Sequence, residues 1–333
     1  MDKIKLSLIS ALAIGGGTTI ILSWWWWWSR EKKLRVPNKW RRVGEISDIF
    51  VFPVKSLGFI RKSEIECTPL GCKSGWLRDR TLMLIDLNKK FITARKFPQM
   101  IKIKPNIVGS ILTLEAPGTN KINIDLSHVG KKFMTSIWSQ PVPACDCGDD
   151  VAQWLSQFLL QEDTGIRLVY YPLDVPYRDV KIKNKAFPLL GNADAGAYPD
   201  ESSFSLMTEA SVEELNARLE DPVTPLQFRM NFTVKGTKAY EEDTWDWIKI
   251  GSVVFRNVRP SIRCLLITID PDIGEKSNIN EPLKTLKKYR QIEDPTIRPF
   301  VGESPMLGIH MGLKGPNGMI KLGDSVYVNV SEE

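Results

Sequence analysis

The sequence predicts a mainly β protein with some α, an α+β class: two barrel-like β regions in tandem behind an N-terminal membrane anchor. Three observations predict it. Short segments of alternating, β-branched character recur from residue 44 to the C-terminus. Only residues 149–162, 208–221 and 281–291 carry a helical pattern. Residues 6–28 contain no charge at all. Many short strands with few helices favour barrel-like β architecture over a parallel α/β sheet. At 333 residues, with 43% apolar and 25% charged residues, the chain suffices for one large or two medium domains.

The N-terminal stretch "LSLISALAIGGGTTIILSWWWWW" would span roughly 35 Å as a helix, enough to cross a bilayer. Its five tryptophans, Trp24–Trp28, suit the membrane interface. Arg30, Lys32, Lys33 and Arg35 follow, so the heavier positive flank lies after the span and the body of the protein is expected on the cytosolic side. A cleaved signal peptide lacks its small-residue site here, and a mitochondrial presequence would be amphipathic and Arg-rich.

Along the body, "EISDIFVFPVKSL" reads as the first strand, interrupted by Pro53 and Gly58. "RTLMLIDLNKKFITAR" reads as a hairpin about Asn88–Lys90, and "KIKPNIVGSILTLEA" and "KINIDL" continue the β character. "DDVAQWLSQFLLQE" places Val151, Trp154, Leu155, Phe158 and Leu159 on one helical face. Residues 172–203, rich in Pro, Gly, Asp and Ser, predict a long loop or domain junction. "TEASVEELNARLED" predicts a helix with a capping box of Ser211 and Glu214. Strands are then expected at "QFRMNFTV", "DWIKIGSVVFRNV", "RCLLITID" and "GMIKLGDSVYVNV", with a short helix at "EPLKTLKKYRQ".

Composition narrows function. A net charge of +6 without a dense basic block argues against nucleic-acid binding, while anionic partners fit. Five cysteines (67, 72, 145, 147 and 264) form no even framework, which favours a reducing compartment. His128 and His310 are the only histidines, which leaves no material for a His-rich zinc site. No Walker or dinucleotide glycine motif occurs. Cys145 and Cys147 lie one residue apart without a second pair, and read more readily as loop residues than as metal ligands.

Basic residues stand beside breaks in the strands: Lys55 with Ser56, Arg78 and Arg80, Arg229 with Asn231, and Arg263 before Cys264. Each alone reads as a solvated strand-end charge. Together they would suit a phosphate-bearing ligand, because guanidinium groups offer planar donor forks. Cys264 has two readings as well. Free cysteine is commonly a packed core residue; among Arg256, Arg259 and Arg263 it could instead be a thiolate, a nucleophile or a ligand of a redox metal.

A resemblance separates these readings. "IFVFPVKSLGFI", "GWLRDRTLMLID", "FITARKFPQM", "QFRMNFTV", "RPSIRCLLITIDPDIGEK", "PLKTLKKYRQ", "SPMLGIHMGL" and "IKLGDSVYV" resemble, in order and spacing, the mitochondrial amidoxime-reducing component family of MOSC-domain proteins. The resemblance runs from about residue 44 to the end. It implies an anchor with its basic flank over 1–35, a MOSC N-terminal β-barrel region over 44–175, and a MOSC β-barrel domain over 176–333, with a molybdenum cofactor (Mo-molybdopterin) at their interface. It implies Cys264 as the protein's sulfur ligand to the metal and as the catalytic residue. Lys55, Ser56, Arg80, Ser202, Arg229, Asn231, Ile262 (through its backbone), Arg263 and His310 are the implied cofactor contacts. Met230 stands where the family carries proline, and His310 where it carries tyrosine.

The implied reaction is two-electron reduction of amidoximes, hydroxylamines and N-hydroxyguanidines to the N–H compounds and water. Electrons are expected from NADH through NADH-cytochrome b5 reductase and cytochrome b5. Residues 6–28 are expected to hold the chain in the mitochondrial outer membrane by a single pass, with the ER membrane as the alternative. Two other functions remain open at this level. One is a cofactor carrier or sulfur-transfer module without reductase turnover; the other is an anchored β-barrel interaction protein in which Cys264 is merely buried.

Overall fold

Residues 35–330 are described by the structure, a computed structural model. The expected anchor, residues 6–28, lies outside them. Among the described residues no helix is long and apolar enough to cross a membrane. The chain from Trp40 onward forms one compact unit.

The first half of that unit is almost entirely β. It contains β1 (Trp40–Val51), β2 (Ile60–Arg61), β3 (Glu64–Thr68), β4 (Gly71–Ser74), β5 (Leu77–Arg78) and β6 (Leu82–Asp86). A second run follows: β7 (Lys104–Val108), β8 (Ile111–Glu115), β9 (Ile122–Asp125), β10 (Lys132–Ile137), β11 (Gln140–Asp146) and β12 (Ile166–Tyr170). The helix Asp149–Leu160 sits between β11 and β12. It buries Val151, Leu155 and Leu159 against Ile166 and Leu168, the face that its period predicts. The sheet β10-β11-β12-β6 curls toward closure, because Phe91 bridges to Ile85 on β6 and Lys90 bridges to Ser136 on β10. Met83, Ile85, Ile137, Val142 and Val169 share one core there.

The second half supplies β13 (Phe204–Thr208), β14 (Phe232–Lys235), β15 (Trp247–Ile250), β16 (Val253–Ile262), β17 (Met306–Leu313), β18 (Gly318–Lys321) and β19 (Ser325–Asn329). Seven strands close a barrel in the order β14-β13-β17-β16-β15-β19-β1, shut by pairing of β1 with β14. Phe204, Phe232 and Phe255 fill its interior, with ring centroids 5.1 to 6.3 Å apart. The halves are interleaved: β1 completes the later barrel, and β18 pairs with β3. A register shift between Ile46 and Asp48 lets β1 bend across to β14.

Three local expectations are corrected. "RCLLITID" is not a strand. The β16–β17 ladder stops at Ile262 opposite Met306, and Leu265–Thr268 forms a 3-10 turn with Cys264 at its N-cap. The inward side falls on consecutive Ile267 and Thr268, so the alternation a strand needs is missing. The helix at "TEASVEELNARLED" runs Glu209–Asn216, and its cap is Thr208, whose hydroxyl accepts from the Ser211 amide at 3.3 Å. Ser211 itself turns inward to Glu242, 2.8 Å away. The return arm of the 80–95 hairpin narrows to the bridge at Phe91, after which Lys96 and Phe97 bond back to Thr93.

Candidate active site

One cavity of about 360 Å³ gathers residues from stretches far apart in the sequence, six of which carry the polar side chains described next. Lys55 and Ser56 come from the turn after β1, Arg80 from the link into β6, and Arg229 from the turn before β14. Ile262, Arg263 and Cys264 come from the end of β16, and His310 from β17. The loop before β13 brings Ser202, together with Lys183, Asn184, Phe187, Asp200 and Glu201.

The backbone at three of these positions is unusual. Ser56, Arg80 and Arg229 have φ of 68°, 47° and 54°, in the left-handed region that non-glycine residues rarely adopt. Ser56 is the third residue of a turn closed by the Leu57 amide on the Val54 carbonyl at 3.2 Å, a place where glycine is usual. Arg229 ends the 3-10 turn Pro225–Phe228. Such backbone cost concentrates at functional sites.

Charge dominates the lining. Lys55, Arg80, Arg95, Lys183, Arg229, Arg259 and Arg263 are cations; Asp200 and Glu201 are the two carboxylates. Lys55 donates to the Tyr198 carbonyl at 2.9 Å and to Asp200 at 2.6 Å. Burial holds its ammonium down to about 8, although Asp200 pulls the other way. Asp200 also accepts from the Trp138 indole at 2.7 Å. Burial would raise its carboxyl, but Lys55 and Trp138 prevail and keep it ionised. Arg229 donates to the Leu57 carbonyl at 2.7 Å, and burial lowers it to about 9, with Arg80 adding to the effect.

Arg263 is buried and bonded to main chain. It reaches the Leu307 carbonyl at 2.8 Å, the Phe228 carbonyl at 3.0 Å and the Met230 sulfur at 3.0 Å. Met230, where the resemblance implied a proline, therefore supplies an acceptor to the arginine beside Cys264. Burial lowers Arg263 to about 9, opposed by Cys264 and Glu242. Cys264 itself is exposed, which removes the reading of a packed core cysteine. Cys67, Cys72 and Cys145 are buried, and burial pushes their thiols up. Cys147 is half-buried and likewise pushed up, and no metal-holding cluster of His, Cys, Asp or Glu occurs among the described residues.

His310 lies between two serines, with Nδ1 3.0 Å from Ser202 Oγ and Nε2 3.3 Å from Ser261 Oγ. The Ser202 hydroxyl donates to the Phe204 carbonyl at 2.7 Å, so its oxygen accepts from the imidazole. This puts the ring proton on Nδ1 and leaves Nε2 to accept from Ser261. Burial, then Arg259, Arg263 and Arg80, hold the imidazole far below its ordinary value and so neutral.

Nine of the ten expected site residues line the cavity. Asn231 does not: its side chain donates to the Phe50 carbonyl at 3.2 Å and accepts from Ser205 Oγ at 3.0 Å, which ties β14 to β1 and β13. Sequence reasoning missed Arg95, Trp138, Lys183, Asp200, Glu201 and Ser261 as lining residues, and noted Arg259 only as a neighbour of Cys264. Asp200 and Glu201 directly precede Ser202, and Arg259 and Ser261 share one face of β16 by the period of two, so those four were within reach. Arg95, Trp138 and Lys183 come from separate loops that only the fold joins.

The donor set fits an anionic, phosphate-bearing cofactor with a soft metal. It offers an accessible thiol, several planar or ammonium donors, and serine hydroxyls in a cavity of ligand size. The MOSC N-terminal beta barrel domain model matches residues 43–162, and the MOSC domain model matches residues 194–327. Mitochondrial amidoxime-reducing component 1 of Homo sapiens is 36% identical over 290 residues, covering 86% of this chain and 84% of its own. The Mus musculus component 1 is 34% identical over 301 residues, covering 90% of this chain and 86% of its own. Mitochondrial amidoxime reducing component 2 of Bos taurus is 35% identical over 296 residues, covering 87% and 86%. At this identity along nearly the whole body, with both domain models in order, the chain belongs to the mitochondrial amidoxime-reducing component family of MOSC-domain proteins.

Proposed function

We propose that the chain is a molybdenum-cofactor-dependent oxidoreductase that reduces amidoximes, hydroxylamines and N-hydroxyguanidines to their N–H compounds and water. The observation that carries this reading is the exposed Cys264 opening onto a cavity with seven cationic side chains against two carboxylates. The names of the relatives, amidoxime-reducing components, supply the reaction class.

Cys264 would be the sulfur ligand to molybdenum, and Arg263, pinned to main-chain carbonyls beside it, would keep a cation next to that sulfur. Lys55, Arg80 and Arg229 would neutralise the cofactor's phosphate and pterin-side charge, with Ser56, Ser202, the Ile262 backbone and neutral His310 offering directed hydrogen bonds. Asn231 would act by holding the strands beneath them. The bound cofactor supplies the two-electron, oxygen-accepting chemistry; the protein binds, orients and shields it. The electron donors would be cytochrome b5 and NADH-cytochrome b5 reductase, and the location the mitochondrial outer membrane with the described body facing the cytosol.

The test is molybdenum per chain by elemental analysis, in wild type and Cys264→Ser from a cofactor-producing host, alongside benzamidoxime reduction with NADH, cytochrome b5 and its reductase. About one metal per chain with turnover, and turnover lost in Cys264→Ser, is the expected result. Metal without turnover would indicate a carrier or sulfur-transfer module. A folded wild type without metal would sink both.

A further inference from the structure

The loop from 178 to 202 forms one wall of the cavity; Lys55 and Lys314 tie its middle at Tyr198, Asp200 and Asp194, and two buried arginines add to them. Arg178 closes the loop on itself, donating to the Ala195 carbonyl at 2.8 Å and the Pro199 carbonyl at 2.6 Å. Arg259 comes from outside, on β16, two residues before the cavity residue Ser261. Its guanidinium meets Glu201 at 2.8 Å, bonds to the Asn184 side-chain oxygen, and lies 4.2 Å from the Phe187 ring centroid. Its side chain is only 6% exposed.

Those three partners sit at both ends of the cavity-lining part of the loop. Within the described residues, Arg259 is the side chain that joins Asn184 and Glu201, 17 positions apart, to the same barrel strand. A guanidinium is suited to this, since it presents several fixed donors and a flat face for the ring at once. Its forward charge is largely taken up by Glu201.

We infer that Arg259 is a positioning residue: it pins the 178–202 strap to the barrel and thereby holds the wall that retains the anionic ligand. This rests on the cofactor reading for the identity of the ligand, but the pin itself does not. The competing role is that Arg259 attracts the anion directly with its own charge. The two roles differ at Glu201. If Arg259 pins the strap, Glu201→Gln weakens the pin and loosens the ligand. If Arg259 acts by charge, Glu201→Gln frees that charge and holds the ligand as well or better.

The strap carries exposed Lys181, Lys183 and Lys185, so trypsin reads its opening directly. The experiment compares full-length wild type, Arg259→Lys and Glu201→Gln from a cofactor-producing host. It measures cleavage rate at those three lysines by mass spectrometry, molybdenum per chain, and the melting temperature as a check on global folding. Both variants are expected to be cut in the strap about tenfold faster, as for loss of one buried ion-pair contact, with cleavage elsewhere unchanged and molybdenum content reduced several-fold. Wild-type cleavage rates in either variant overturn the pin, as does Glu201→Gln retaining its molybdenum while Arg259→Lys loses it. If wild type carries no molybdenum yet both variants open faster, the pin stands and the cofactor reading falls.

Discussion

The guanidinium of Arg80 donates to the main-chain carbonyl of Arg229, 2.8 Å away, and both guanidinium groups lie over the ring of Phe52, at 4.7 and 4.3 Å. Two residues 149 positions apart are thus locked into one cationic platform on a fully buried aromatic side chain. Burial alone would disfavour two adjacent cations; the ring faces and the carbonyl offset part of that cost. Held by a main-chain carbonyl and a ring rather than by solvent alone, the two guanidinium groups have little rotamer freedom left to lose on binding.

The left-handed backbone at this platform predicts a trade between stability and binding. Ser56→Gly relieves a positive φ at a turn position that favours glycine, and should stabilise the chain by about 1 kcal/mol. The same change deletes a hydroxyl that lines the cavity. Thermal melts should therefore rise while molybdenum per chain falls. A drop in both would mean that the hydroxyl supports the turn rather than the ligand.

Thiol accessibility gives a second prediction. Of five free cysteines, Cys264 is the exposed one, and the other four have thiols pushed up by burial. Iodoacetamide at neutral pH should label the folded cofactor-free chain once, at Cys264, and all five after denaturation. Cofactor loading should slow that single labelling at least tenfold if the sulfur is a metal ligand. First labelling at Cys147 would contradict this ranking.

Period and punctuation made the β class, the helix Asp149–Leu160 and the long 172–203 loop legible in the sequence, because each depends on local pattern. The cap at Thr208 was misread as Ser211 because both are hydroxyl residues with glutamates downstream, and only burial of Glu242 shows where Ser211 turns. Cys264 reads as a strand residue because "CLLITI" is apolar but for Thr268 and ends on β-branched residues; the end of the β16–β17 ladder, a non-local event, decides otherwise. Lys55, Arg80 and Arg229 were each visible as a charge at a strand break, but their convergence depends on β1 crossing into the later barrel. No spacing within one sequence encodes that crossing. The motif resemblance brought these residues together in advance because it carries a family's tertiary structure with it.

Lys55 makes the empty and occupied sites differ in pH response. Burial lowers its folded value to about 8, from 10.5 when free. Between pH 8 and 10.5 the unfolded chain binds the extra proton, so the ligand-free protein should gain stability as pH rises through that window. Anion binding requires the ammonium, so affinity for a probe such as inorganic phosphate should fall above pH 8, by up to about tenfold per pH unit. Lys55→Met should remove the part of both profiles that begins at pH 8 and leave the later part, from Arg229 and Arg263, which burial lowers to about 9. Calorimetric titration and melts over this range are the measurement, and a phosphate affinity that holds constant to pH 10 would remove Lys55 from the binding set.

Glu242 offers a stability effect away from the ligand. It is completely buried beneath the Glu209–Asn216 helix, accepting from Ser211 Oγ at 2.8 Å and from Thr208 Oγ1 at 3.0 Å. Burial raises its carboxyl from 4.5 to about 7, more than the two hydroxyls lower it. The folded chain therefore holds a proton that the unfolded chain has already released between pH 4.5 and 7. Its contribution to stability is greatest below pH 4.5 and falls as pH rises to about 7, by about 3 kcal/mol in all. Other carboxylates titrate in the same range, so the comparison is with Glu242→Gln, which keeps the shape and a carbonyl acceptor without the charge. The stability difference between Glu242→Gln and wild type should grow in favour of the variant from pH 5 to pH 7.5 and then level off. Denaturant titrations at each pH read it directly, and a difference that does not change with pH would mean that Glu242 stays ionised against its two hydroxyls, with Arg263 as the nearby cation that keeps it so.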